Sequence, residues 1–189
     1  MLALVVPFTN VSGATKSAEE TVKETTQEVL SRIEQDHDRL LLYPEYIEVI
    51  VTELIVPNFD FSTMSQLSLD KHWNTLNEEE KTCFTDGFRN LLITRYADIF
   101  LSYSDQEITY EPAKNIGTQN YVSVRQIISH TGIGPFYVDY PMRPEQDGWK
   151  VVDIIVDGVS LLKSYHATFS SNIRNQGLQE FLKEFNECN

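Results

Sequence analysis

Apolar positions along this chain change period twice, from helical spacing in the first half to a period of two in the middle and back again near the end. Between Ser17 and Gln35, Val22, Val29 or Leu30, and Ile33 stand among Glu, Lys and Thr, the spacing of an amphipathic surface helix. A second helix is expected after Tyr43. Pro44 suits its first turn, Ile47, Ile50, Val51, Leu54 and Ile55 share a broad face, and Pro57 ends it. Asp60 to Leu69 reads as one or two short helical turns. Asn77-Glu78-Glu79-Glu80 then has the form of a capping box, with acidic charge at the positive end of a helix. The stripe Phe84, Phe88, Leu91, Leu92, Tyr96, Ile99 and Phe100 predicts that this principal helix runs to about Tyr103.

From Gln106 the alternation of Ile108 and Tyr110, then Val122, Val124 and Ile128, then Phe136, Val138, Tyr140 and Met142, then Val152, Ile154 and Val156 predicts four strands. The gaps carry Asn115-Ile116-Gly117, Thr131-Gly132-Ile133-Gly134-Pro135 and Glu145-Gln146-Asp147-Gly148, turn-rich links short enough for an antiparallel meander. Val151, Asp153, Ile155 and Asp157 give the last strand a mixed opposite face, one that can meet water. Helical spacing returns over Val159–Gln176 with Leu162, Tyr165 or His166, Phe169 and Ile173. Gly177 fits a left-handed cap, and a short tail helix over Leu178–Phe185 follows. The expected fold is α+β, a curved four-stranded antiparallel sheet with helices packed on one face.

Composition narrows the function. Acidic side chains outnumber basic ones 28 to 15, and a net charge of −13 repels nucleic acid and anionic bilayers alike. The length of 189 residues suits one domain, expected over 15–189. Residues Leu2 to Phe8 are apolar and Ser12-Gly13-Ala14 are small, so 1–14 reads as the remnant of a secretory signal peptide without its basic start, or as an apolar, disordered start. Cys83 and Cys188 could pair in an oxidising compartment, but Cys83 falls inside a predicted helix, which favours burial as a small hydrophobe. No spacing of His, Cys and carboxylates suggests a metal, and no P-loop is present. His37, His72, His130 and His166 are scattered, with no nucleophile placed beside any of them, so no catalytic residue is assigned.

Several spaced segments together carry a resemblance. Ile55-Val56-Pro57-Asn58-Phe59-Asp60-Phe61, Met64-Ser65 and His72-Trp73 are followed by Gly148-Trp149-Lys150-Val151-Val152-Asp153, Asp157-Gly158-Val159-Ser160-Leu161, Tyr165 and Phe169. In this order they resemble the MlaC (toluene-tolerance) family of periplasmic phospholipid-binding proteins, over roughly Thr21 to Phe185. The resemblance implies a sheet-and-helix fold similar to nuclear transport factor two, enclosing an apolar pocket. It also implies a soluble periplasmic carrier, expected to be a monomer, that exchanges phospholipid between an outer-membrane lipoprotein complex and an inner-membrane ABC-transporter complex with its lipid-binding membrane subunit. No cofactor is expected, since the lipid is cargo. One departure is Tyr165-His166, where the family often has Tyr-Arg.

A lipid carried through water must be sheltered over most of its length. Each exposed methylene costs about 0.8 kcal/mol, so a chain of about sixteen carbons costs on the order of 12 kcal/mol. The expected pocket wall from the sheet is Val122, Val124, Phe136, Val138, Tyr140, Val152, Ile154 and Val156, faced by Leu92, Tyr96, Ile99, Tyr165 and Phe169 from helices. Periodicity alone reads the same side chains as a packed core. Arg125, Arg143, Lys150 and Lys163 are cations for a pocket mouth, but each reads first as a solvated charge. Two other readings remain: a cavity enzyme using Tyr140 with Asp139 or Asp153, although alternation turns both carboxylates away from the apolar face, and an interaction module without a ligand.

Overall fold

The computed structural model describes residues 16–103, 106–117, 120–130 and 132–185. The signal-peptide reading of 1–14 and the partner role of Cys188 lie outside them. Cys83 is buried, but it is disulfide-bonded rather than a free thiol used as a small hydrophobe.

The first half of the chain is helical, and local side chains set the helix starts. α1 (Ala18–Gln35) and α5 (Glu78–Tyr96) both open with a reciprocal capping box. At α5 the Glu80 amide donates to Asn77 Oδ1 and the Asn77 amide to Glu80 Oε2, both at 2.9 Å. Between them lie α2 (His37–Leu42), a 3-10 turn at Pro44–Tyr46, α3 (Ile47–Leu54) and α4 (Phe61–Leu69), whose cap Asp60 accepts from the Thr63 amide at 3.0 Å. α5 is shorter than its apolar stripe suggests, because at Ala97 the chain tightens into a 3-10 turn that runs to Ser102 and leaves Ile99 exposed.

Three long antiparallel strands follow, β1 (Glu107–Ile116), β2 (Tyr121–His130) and β3 (Ile133–Glu145). Where one strand through Val152, Ile154 and Val156 is expected, only β5 (Ile155–Val156) forms; β4 (Gly148–Val151) precedes it and β6 (Val159–Ser160) takes the first two positions expected of the last helix, so the sheet has six strands rather than four. Asp153 is the cause of the break. Its Oδ1 accepts from the amides of Ile154 and Leu162, and its Oδ2 from the Ser160 hydroxyl, which draws the chain out of the ladder between β4 and β5. Val152 and Ile154 therefore lie outside any strand. The same contacts secure the start of α6 (Leu161–Gln176), and Gly177, with φ +87°, turns the chain into α7 (Leu178–Leu182).

The core divides into three clusters. One is all helical and rich in rings, with Phe84, Phe88, Phe169, Phe181 and Phe185 from α5, α6 and the C-terminal segment. A second joins α1, α2, α3 and the end of α5 around Ile47, Ile50 and Ile93. The third sits between α1 and the sheet, where Ala18 and Val22 meet Val122, Val124, Met142 and Val151. The cap of α4 is fastened to the sheet: the Asp60 amide donates to the Val151 carbonyl at 2.9 Å, and Arg143 pairs with the Asp60 carboxylate at 2.6 Å.

Candidate functional site: the inward face of the sheet

Strand register stacks the inward side chains in rows that differ in burial. Val122, Met142 and Val151 are neighbours across three strands at the fastened end and are buried there. Val124 beside Tyr140 forms the next row. Tyr110, Gln126, Val138 and Val156 form the third, and Ile108, Ile128 and Phe136 the last. Met142 and Val124 in the first two rows are 0% exposed, whereas Phe136 in the last row is 39% exposed and Val156, in the third, 44%. One end of the seam between sheet and helices is thus closed and the other open.

α1 runs along this face. Its Ala18 and Val22 cover the closed rows, Thr26 meets Gln126, and Leu30 reaches the level of Ile108. A cavity of about 450 Å³ opens beside it, lined by Glu19, Lys23, Thr26, Gln27 and Leu30 of α1, by Tyr103, and by Ile108, Thr109 and Tyr110 of β1. A groove of about 360 Å³ on the other flank of α1 is bordered by polar α1 side chains and Leu54; its Arg32 is already engaged by Asp36, Glu53 and Tyr46.

A polar group is buried in the middle of the apolar face. Gln126 is 3% exposed, and its amide is used on both sides. Oε1 accepts from the Tyr140 hydroxyl at 2.8 Å, while Nε2 donates to Thr26 Oγ1 at 3.2 Å and to the Tyr110 hydroxyl at 3.3 Å. Burial pushes the Tyr140 hydroxyl well above the ordinary phenol range, with Tyr110 adding to the effect, so Tyr140 stays a neutral donor. Sequence reasoning missed Gln126 as a site residue. Its only signal was a polar side chain at an inward position between Val124 and Ile128.

The expected wall residues fall into three groups. Val122, Val124, Tyr140 and Ile154 belong to or pack on the cluster under α1, and Val138 and Val152 are buried. Leu92 and Phe169 lie in the aromatic cluster of the helices, and Tyr165 packs on its edge. Burial, and then a hydrogen bond with Tyr96, raises the Tyr165 hydroxyl above the phenol range. Tyr96, Ile99, Phe136 and Val156 are exposed by a third or more.

Asp139 and Asp153 contribute no acid–base pair to this face. Asp139 is held by Arg125 in a two-pronged pair at 2.7 and 2.9 Å on the outward side, and Asp153 is occupied with the start of α6. His166 Nδ1 lies 3.2 Å from the Ser68 carbonyl, linking α6 to α4. Lys150 Nζ donates to the Pro57 carbonyl at 2.8 Å, and Arg143 is shared by Asp60 and Glu145. Among the described residues no group of three His, Cys, Asp or Glu is arranged to hold a metal, and no helix is long and apolar enough to cross a membrane. The arrangement is a half-open apolar seam with one buried polar cluster, suited to holding an amphiphile.

Residues 23–187 match the family model of the MlaC protein. The chain belongs to the MlaC family. It is 22% identical over 169 residues, 88% of this chain and 79% of the relative, to the intermembrane phospholipid transport system binding protein MlaC of Haemophilus influenzae. To the toluene tolerance protein ttg2D of Pseudomonas putida it is 23% identical over 94% of this chain and 82% of the relative. Among solved structures, a phospholipid-binding protein from Ralstonia solanacearum in complex with a phospholipid is similar, with a TM-score of 0.79 and 30% identity over 90% of this chain and 97% of that one. The match to the MlaC family covers the sheet, the aromatic helical core and α1 from Lys23 onward.

Proposed function

We propose that this chain is a periplasmic phospholipid carrier, moving lipid between an outer-membrane lipoprotein complex and an inner-membrane ABC-transporter complex, and that it is not an enzyme. The observation that carries the reading is the likeness, over 90% of the chain, to a structure solved with a phospholipid bound. The family relation supports it, and so does the half-open apolar seam. We take the architecture to be that of nuclear transport factor two, with the sheet as one wall of a lipid pocket.

In this reading the acyl chains lie on Val124, Val138, Tyr140 and Phe136, entering from the exposed row and ending near Val122 and Met142. The cavity beside α1, at about 450 Å³, is near the small end of ligand pockets. Two long chains therefore need the seam itself, and α1 must move off the sheet to admit them. Dispersion and the hydrophobic effect supply the affinity, since burial of apolar surface contributes about 25 cal/mol per Å². The driving energy for transfer comes from a nucleotide-binding partner.

The test is extraction of the purified protein with organic solvent followed by mass spectrometry, together with uptake from phospholipid vesicles. Phospholipid at up to one molecule per chain is the expected result. A folded sample that yields no lipid and acquires none from vesicles contradicts the proposal.

A further inference from the structure

The cavity between α1 and β1 differs from the rest of the seam in its chemistry. Its lining mixes the apolar Leu30 and Ile108 with Lys23, Thr26, Gln27, Tyr103 and Tyr110. Lys23 is exposed and makes no ion pair among the described residues. Glu19, one helical turn earlier, borders the same cavity but makes no ion pair with it.

Gln126 decides what the Tyr110 hydroxyl is able to do. Because Gln126 Oε1 is taken by Tyr140, it is the Nε2 group that meets Tyr110 and donates to it. The Tyr110 oxygen is therefore an acceptor toward the protein, and its own proton has no acceptor among the described residues. A hydroxyl so placed is a donor to whatever fills the cavity, and a donor left unmatched in a half-buried site costs free energy. A donor and a cation beside an apolar wall complement an acceptor-rich, anionic group carried on an aliphatic body.

Resting on the carrier reading above, the geometry points to this cavity as the site of the phosphodiester region of the bound phospholipid. Tyr110 donates to an ester or phosphate oxygen, and Lys23 neutralises the phosphate. The acyl chains run from there over Val138 and Val124 toward the closed rows near Val122 and Met142. Gln126 and Tyr140 are positioning residues, acting through Tyr110.

A competition experiment tests this. The protein is incubated with vesicles that contain phosphatidylglycerol and diacylglycerol with the same acyl chains in equal amounts, and the ratio of the two lipids bound is read by mass spectrometry. The wild-type chain should prefer the phospholipid by about tenfold, the size of effect expected for one charge-assisted contact. Lys23→Ala and Tyr110→Phe should each lower the ratio severalfold, and together bring it close to one. Lys71→Ala, an exposed cation between α4 and α5, should leave it unchanged. A wild-type ratio near one, or a ratio that the double substitution does not move, overturns the proposed site while leaving the carrier reading standing. Binding of neither lipid by the wild type overturns both.

Discussion

The aromatic helical cluster and the inward face of the sheet are both apolar, yet they are packed by different rules. In the helical cluster the ring of Phe84 lies against Phe88, Phe169, Phe181 and Phe185, with centroids 4.7 to 6.1 Å apart, those to Phe169 and Phe185 in edge-to-face contact. Phe84 and Phe88 are fully buried. The sheet face grades from complete burial to open side chains, and at its centre it carries an amide with three partners. A finished core leaves no room for cargo. Graded burial around a single polar cluster is what a site needs if it is to fill and empty.

Substitutions should separate the two regions. Phe84→Ala opens a void in the finished core and should cost about 3–5 kcal/mol in chemical denaturation, while the molecules that remain folded keep their lipid. An equal loss of lipid per folded molecule would show that the aromatic cluster also contacts cargo. Gln126→Leu strands the Tyr140 and Tyr110 hydroxyls and should cost about 1–3 kcal/mol; adding Tyr140→Phe should recover part of that loss. Phe136→Ser, at the open row, should cost about 1 kcal/mol or less yet lower lipid occupancy severalfold. Unchanged occupancy there would move the entrance elsewhere.

The smallest effect belongs to the helical half. Gln179 and the Asn77 amide hold the Glu80 carboxyl below the ordinary carboxylate range. Its folded pKa is lowered, so its contribution is present above the unfolded pKa and disappears as pH falls through the folded one. A melting-temperature profile on the acid side should therefore be slightly flatter for Glu80→Gln, with lipid occupancy unaffected.

What could be read from the sequence follows from the range of the interaction concerned. The capping box at Asn77 and Glu80 is local, four residues fix it, and it forms as expected. Alternation at Val122 and Val124 predicts burial correctly because Ala18 and Val22 of α1 cover this end of the sheet face. α2 carries no such signal, since Leu41 and Leu42 are 68% and 74% exposed and leave no apolar stripe pointing inward. The break after β4 depends on Asp153 reaching the amide of Leu162, a contact between residues nine apart that periodicity does not register. The site is harder still. An apolar stripe tells that Leu92 and Phe169 are buried but not against which neighbour, and Gln126 acquires meaning only when the register brings Tyr110 and Tyr140 to its two sides.

Whether cargo lies on the inward sheet face can be observed in the loaded protein. Phospholipid of natural isotope content is bound to a chain labelled at Val, Ile and Phe, and nuclear Overhauser contacts are recorded from the acyl methylenes. Contacts to Val124, Val138, Ile108 and Phe136, and none to Phe84, Phe88 or Phe181, are expected. Acyl contacts confined to the helical phenylalanines, with the sheet valines silent, would place the lipid in the other region and refute the carrier geometry proposed for the seam.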